Sequence, residues 1–243
     1  MVYVSTHAGK RHNISEDAVL VGEAVLTETS EVLPMPEYGF ICVADGVGGN
    51  CGGDQASQFV LEELSKHQGS DNLDLAGSLK EINERLIAAA RADGTAMDMA
   101  TTLTGFYING GQIKLVHIGN TRAYIKQGKY LKQITSDHTT YNWLLSSGQV
   151  EAAQNCNKSE ITNCFGGNNP ALLSKLLVTE CQQFSLALLT SDGVHEYVDL
   201  DFLEAIITGE GSLRDKCEEI FQRAINAGSE DDISVVIICP SEE

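Results

Sequence analysis

The chain has 243 residues, 42% hydrophobic and 21% charged, an ordinary globular composition with no linker-like stretch, so one domain over 1–243 is expected. Lys and Arg number 16 against 34 Asp and Glu, a net charge of −18, which repels phosphate backbones and anionic membranes, so neither nucleic acid nor a membrane is an expected partner. Seven cysteines, an odd number without a CxxC pair, argue against a disulfide framework or zinc knuckle and for a reducing cytoplasm.

In chain order, apolar or alternating runs predict strands near 2–6, 17–26 and 38–45. Helical spacing follows near 53–67, where Ala56, Phe59, Val60 and Leu64 share a face, and near 74–92. Strands near 101–109, 112–118 and 121–127 come next, the first two joined by the turn signal Asn109-Gly110-Gly111. A short helix near 140–147 opens a polar excursion over 146–170 with few core-forming residues. Strands near 175–180 and 185–191, helices near 199–208 and 212–227, and a final strand near 233–239 complete the chain. Tight turns force antiparallel pairing, and strand groups interrupted by helix groups predict an α+β layered domain with helices covering antiparallel sheet.

Acidic residues stand at the ends of several of these strands. Asp45-Gly46 ends 40–44, Asp192-Gly193 ends 186–191, Asp231-Asp232 precedes 233–238, and Glu16-Asp17 opens an early strand. A carboxylate at a buried strand end is costly unless compensated, and a following Gly lets the backbone turn and offer a carbonyl oxygen. One Asp-Gly is simply a turn. Several tied to apolar strands form an oxygen-rich cage if the strands converge, and oxygen ligands select Mg²⁺ or Mn²⁺ over zinc. The glycines at 46, 48, 49, 52 and 53 lack the spacing of a P-loop, and neither HExxH nor GxSxG occurs. Cys42 and Cys51 lie near this region and read as packing residues.

The order and flanks of these motifs resemble the metal-dependent protein Ser/Thr phosphatases of the type-2C (PPM) family, in particular its bacterial members. The resemblance is carried by Arg11–Ala18, Val43-Ala44-Asp45-Gly46-Val47-Gly48-Gly49, Met99-Ala100-Thr101-Thr102-Leu103 and Gly119-Asn120-Thr121-Arg122. It continues through Gln133–His138, Leu189–Val194 and Gly228–Ser234, and so spans nearly the whole chain. It implies an αββα sandwich of two antiparallel sheets flanked by helices. It also implies Mn²⁺- or Mg²⁺-dependent hydrolysis of phosphoserine and phosphothreonine in proteins by a metal-bridging hydroxide. On this resemblance Asp45 bridges two ions, Asp192 and Asp231 hold one of them, and the Gly46 carbonyl helps hold the other. Glu16 and Asp17 orient waters on the metals.

Departures from the family pattern matter. The family's phosphate-clamping Arg stands five residues before the Asp of the opening motif; here Arg11 stands six before Asp17 and His12 takes the five-before place. Arg11 is the candidate clamp, because a guanidinium grips phosphate oxygens bidentately. Asn120 replaces an Asp associated with a third ion, and a neutral amide binds cations less well, so two ions are expected and the third is doubtful. Asp232 replaces a usual Asn, and Val47 stands where some relatives carry a His that protonates the leaving group. The segment 140–170 corresponds to the family's flap, with Trp143 and Phe165 as candidate substrate contacts. A phosphoprotein substrate, a Ser/Thr kinase acting on the same targets, and a monomer are the expected partners and state. Two rival readings are a non-catalytic phosphatase-like module that binds phosphoproteins and a hydrolase of small phosphoesters.

Overall fold

The computed structural model describes residues 1–47, 52–67, 74–94 and 97–240. Gly48, Gly49 and Cys51 lie outside the described residues. The chain opens with β1 (Val2–His7), β2 (Asp17–Val21), β3 (Ala24–Leu26), β4 (Thr29–Leu33) and β5 (Tyr38–Val47). The run expected as one strand over 17–26 is two, because Gly22 takes a left-handed turn (φ 61°) and folds β3 back on β2. β4 was not anticipated; Thr29–Leu33 is half exposed and lacks a clear apolar face.

Helices α1 (Gly53–Ser65) and α2 (Leu75–Asp93) follow, the second capped by the Asp74 side chain accepting from Gly77 N–H. Then come β6 (Ala100–Thr101), β7 (Leu103–Asn109), β8 (Gln112–Ile118), β9 (Arg122–Gln127) and β10 (Tyr130–Gln133). The excursion holds α3 (Thr140–Ser146) and α4 (Val150–Asn155). It ends earlier than expected, because Phe165–Gly166 forms β11 against β6 and a 3₁₀ turn over Pro170–Lys175 packs beside it. β12 (Leu177–Cys181), β13 (Ala187–Thr190), α5 (Asp192–His195), α6 (Leu200–Thr208), α7 (Leu213–Asn226) and β14 (Ile233–Ile238) complete the chain.

Among the described residues the strands form two sheets, antiparallel throughout. One runs β10-β9-β13-β14-β1-β4. The other runs β11-β6-β5-β7-β8-β12, with β2 and β3 added at β5. Three apolar clusters show the layering. Phe40, Cys42 and Ala44 pack outward against α1 and α2. Leu188, Val235 and Ile237 pack outward against α6 and α7. Between the sheets lie Val19, Val21, Ile41, Val43, Phe106, Ala187, Leu189, Val236 and Ile238. The order is helix, sheet, sheet, helix, the αββα sandwich expected.

Strand parity then fixes what stands at the end of the middle layer. Side chains alternate faces, so residues two apart share one. Asp17 continues the inward face of Val19 and Val21, and Asp45 that of Ile41 and Val43. Ser191 continues Ala187 and Leu189, while Ser234 and Asp232 continue Val236 and Ile238. The apolar filling therefore gives way at one end to a polar cluster drawn from both sheets.

Candidate metal centre

Asp17 and Asp45 are direct cross-strand partners in the β2–β5 ladder. Like charges opposite each other destabilise a sheet, so something must compensate the pair. The backbone around Asp45 is held firmly. Its N–H donates to Thr102 Oγ1 (3.0 Å), and its carbonyl accepts from Thr102 N–H (2.9 Å) and the Thr101 hydroxyl (3.0 Å). Gly46 N–H donates to the Glu16 carbonyl (3.0 Å). A Cβ on Gly46 would stand 2.2 Å from the Gly53 carbonyl oxygen, so only Gly lets β5 and the start of α1 approach this closely.

Side-chain oxygens here lack partners. Asp17 Oδ2, Asp45 Oδ2 and Asn120 Oδ1 are sealed from solvent without a hydrogen bond. Buried polar atoms are rarely left so, and such orphans call for an explanation. Burial, then Asp232 and Asp192, hold Asp17 well above the usual carboxylate range, although hydrogen bonds from Ser191 and Ser234 oppose this. Burial and the charges of Asp192, Asp17, Asp231 and Asp232 raise Asp45 in the same way. Asp192 is pushed up to about 7 by burial, Asp231 and Glu196. Glu16 is raised by burial, with further contributions from Asp232, Asp54 and Asp231 against an opposing His12. These carboxylates therefore feel one another across sheets and loops. A hard cation with oxygen ligands would relieve both the orphaned atoms and the mutual repulsion.

The remaining predicted residues fall around this cluster. Asn120 is 2% exposed, and its Nδ2 donates to Asp192 Oδ2 at 2.9 Å. The 118–121 turn that carries it is fixed by Gly119 (φ 106°), whose N–H donates to His138 Nδ1 (3.1 Å). His117, 1% exposed, bonds Thr104 Oγ1 (2.8 Å) and the Ser136 carbonyl (3.0 Å), and its ring stacks on His138 at 4.8 Å. Arg11 Nη1 donates to Asp231 Oδ2 at 2.7 Å.

Asp232 is the residue whose role motif reading understated. Its carboxylate accepts from Gly9 N–H (2.8 Å), His12 Nδ1 (2.9 Å) and Glu16 N–H (2.7 Å), pinning the 9–16 loop to the start of β14. Burial pulls the His12 pKa down, but the bond to Asp232 and the fields of Asp232, Glu16 and Asp231 more than offset it and leave it raised. His12, Asp231 and Asp232 bring one ligand-type atom each within 4.8 Å of one another. Ser191 and Ser234 were also passed over. Their adjacency to the acidic motifs and their inward parity were the available signals.

Two flap residues part company. Trp143 is 57% exposed and borders a cavity of about 530 Å³ with His138, Asn142 and Lys175. Phe165 is 0% exposed, in the cluster under α1 and α2, so the expectation that it contacts substrate is corrected: a ring sealed in the core cannot meet another protein. A larger cavity, about 780 Å³, lies between α3, residues 157–159 and the Asn120–Arg122 segment, and also borders His195 and Glu196.

Carboxylates converging from both sheets at a sandwich end, with only oxygen donors left unpartnered, define a centre for hard divalent cations. The chain belongs to the protein phosphatase 2C family, whose model matches residues 35–233. A relative named serine/threonine phosphatase stp, from Listeria welshimeri, is 27% identical over 209 residues, 82% of this chain and 83% of the relative. Protein phosphatase PhpP of Streptococcus pneumoniae is 30% identical over 216 residues, 84% of this chain and 86% of its own. The crystal structure of the Mycobacterium tuberculosis serine/threonine phosphatase PstP/Ppp superposes with a TM-score of 0.79 at 23% identity, covering 98% of this chain and 97% of that one. The PstP catalytic domain in complex with two manganese ions gives 0.74 at 22% identity, covering 98% of each chain.

Proposed function

We propose that the chain is a protein-serine/threonine phosphatase that hydrolyses phosphoserine and phosphothreonine in proteins and depends on two Mn²⁺ or Mg²⁺ ions. The observation that carries the reading is the pair of sealed, unpartnered carboxylate oxygens on Asp17 and Asp45, facing Asp192 and Asp231 across the sheet ends. The donor set fits hard cations: carboxylates, the Gly46 carbonyl, and neither Cys nor His among its members. Asp45, Gly46, Asp192 and Asp231 would hold the ions, with Asp17 and Glu16 orienting what they bind. Bound there, the ions supply a nucleophile at neutral pH and neutralise charge on the phosphoryl oxygens.

The chain's own residues do the rest. Asn120 fixes the rotamer of Asp192 through its amide, and Asp232 fixes the loop that carries Arg11, His12 and Glu16. Arg11 grips the phosphate from the rim. Exposed Trp143 and the cavities beside α3 are the surface on which a protein substrate docks. We infer further that the substrates are products of a Ser/Thr kinase and that the chain works as a cytoplasmic monomer. Among the described residues, no helix is long and apolar enough to cross a membrane.

The test is phosphate release from a phosphothreonine peptide with Mn²⁺, with EDTA, and with the Asp45→Asn variant. Release requiring both Mn²⁺ and Asp45 is expected. No release from folded protein saturated with Mn²⁺ sinks the catalytic reading and leaves the binding module.

A further inference from the structure

Asp231 has both carboxylate oxygens engaged. Oδ1 accepts from the Asp232 N–H (3.0 Å), and Oδ2 accepts from Arg11 Nη1 (2.7 Å). Of Asp17, Asp45, Asp192 and Asp231, it alone has an Arg or Lys within ion-pair reach among the described residues. A cation held by Oδ2 would compete with the guanidinium for that oxygen.

The backbone beneath this pair cannot move aside. Arg11 N–H donates to the Glu230 carbonyl (3.0 Å), and Gly9 N–H donates to Asp232 Oδ1 (2.8 Å). A Cβ on Gly9 would stand 2.1 Å from the Asp231 carbonyl oxygen, so the 9–11 segment lies flat against the strand end. Only the Arg11 side chain is free to swing, and it is 53% exposed. It therefore leaves Asp231 by rotating about its own stem, and the guanidinium stays at the rim of the centre.

We infer that Arg11 is a built-in counter-ion on Asp231 that cation loading must displace, so that loading the centre and freeing the phosphate clamp are one event. The inference rests on the two-cation phosphatase reading above. A guanidinium and a divalent ion that share one carboxylate oxygen repel at close range, so each weakens the other's hold. Exposed ion pairs are weak, so the guanidinium gives way, yet it lowers the apparent cation affinity. Once released, its planar fork suits the phosphate oxygens better than a single carboxylate oxygen did. In the metal-free protein the clamp is silent; in the loaded protein it is available.

Two titrations test this on the whole folded chain. Calorimetric titration with Mn²⁺ compares wild type, Arg11→Ala, Arg11→Gln and Lys10→Ala. Both Arg11 variants are expected to bind Mn²⁺ roughly two- to five-fold more tightly, the size of an exposed ion pair. Lys10→Ala removes the same charge from the adjoining residue without the contact and is expected to shift affinity by less. Inorganic phosphate, added as a competitive inhibitor with Mn²⁺ present, should bind roughly tenfold more weakly to Arg11→Ala, the size of one charge-assisted hydrogen bond. Mn²⁺ affinity unchanged or weakened in the Arg11 variants, or matched by Lys10→Ala, overturns the inference while leaving the phosphatase reading intact. No Mn²⁺ binding by folded wild type overturns both.

Discussion

Asn120→Asp puts a carboxylate where an amide now donates to Asp192 Oδ2 at 2.9 Å, in a position 2% exposed. Without a cation, two carboxylate oxygens at that separation cannot both be ionised, so one carboxyl must carry a proton. Asp192 is already pushed up to about 7 by burial and its neighbours. If the new carboxyl holds that proton near pH 7.5, against an ordinary pKa near 3.9, the cost is about 5 kcal/mol. The new O–H···O⁻ bond returns about 1–3 kcal/mol, leaving a net loss of roughly 2–4 kcal/mol. For a chain of this length that is a fall of roughly 5–15 °C in Tm. The assay is thermal unfolding in EDTA near pH 7.5 and again near pH 5.5, with and without Mn²⁺. In EDTA the variant should melt well below wild type near pH 7.5 and closer to it near pH 5.5, where protonation costs about 2.7 kcal/mol less at roughly 1.36 kcal/mol per pH unit. Mn²⁺ should close the gap, and turnover should rise or need less Mn²⁺. An EDTA Tm equal to wild type at both pH values would show that residue 120 and Asp192 do not share one electrostatic site.

Asp192→Asn should abolish Mn²⁺-dependent turnover while leaving the EDTA Tm equal or higher, since it removes a buried carboxylate that burial disfavours; full retained activity would remove Asp192 from the mechanism. Asp232→Asn leaves one amide oxygen for the three donors now met by the carboxylate, so a loss of about 1–3 kcal/mol in stability is expected, and an unchanged Tm would refute its role as the anchor of the 9–16 loop. His138 is pulled down to about 4 by burial and by the charges of His117 and Lys175, with Asp137 opposing. Its folded pKa lies below the ordinary 6.5, so the stability it protects is present above pH 6.5 and lost as pH falls toward about 4, by about 1–2 kcal/mol after discounting for its partial exposure. His138→Asn, which keeps an acceptor for the Gly119 N–H, should flatten that acid limb; parallel decline of Tm in variant and wild type would refute it.

The centre was legible where chemistry and periodicity agreed. Asp45 and Asp17 stood out as carboxylates at the ends of apolar strands, and period-two alternation alone turns them inward beside Val43 and Val19. Asn120 stood out only against the family's motif, which carries an Asp at that place; its bond to Asp192 was invisible, because that residue lies 72 positions away in a different motif. Phe165 failed for a related reason. A polar, glycine-bearing neighbourhood reads as surface, yet Gly166 takes a left-handed φ of 79° and lets a two-residue strand return the ring to the core. β4 was missed because its side chains bury little; it exists through its backbone pairing with β1, which side-chain pattern does not encode.

Asp231 and Asp232 are chain neighbours with opposite fates, and the difference says how the centre is built. Both precede β14 and bring a carboxylate oxygen within 4.8 Å of each other, so their partners rather than their direction set them apart. Asp232, 3% exposed, is satisfied by three donors from the chain and behaves as structure. Asp231 keeps one oxygen on a backbone N–H and gives the other to an exchangeable, exposed side chain. Asp17 and Asp45 go further and keep an oxygen with no partner at all. Hydrogen-bond satisfaction thus sorts the carboxylates into those that hold the loops and those left with capacity to spare. Spare capacity in a buried carboxylate costs folding free energy, which the raised pKa values of Asp17, Asp45 and Asp192 register directly. A fold that retains this cost at one end of its middle layer, while filling the rest with Val, Ile, Leu and Phe, has kept that end for a ligand of opposite charge.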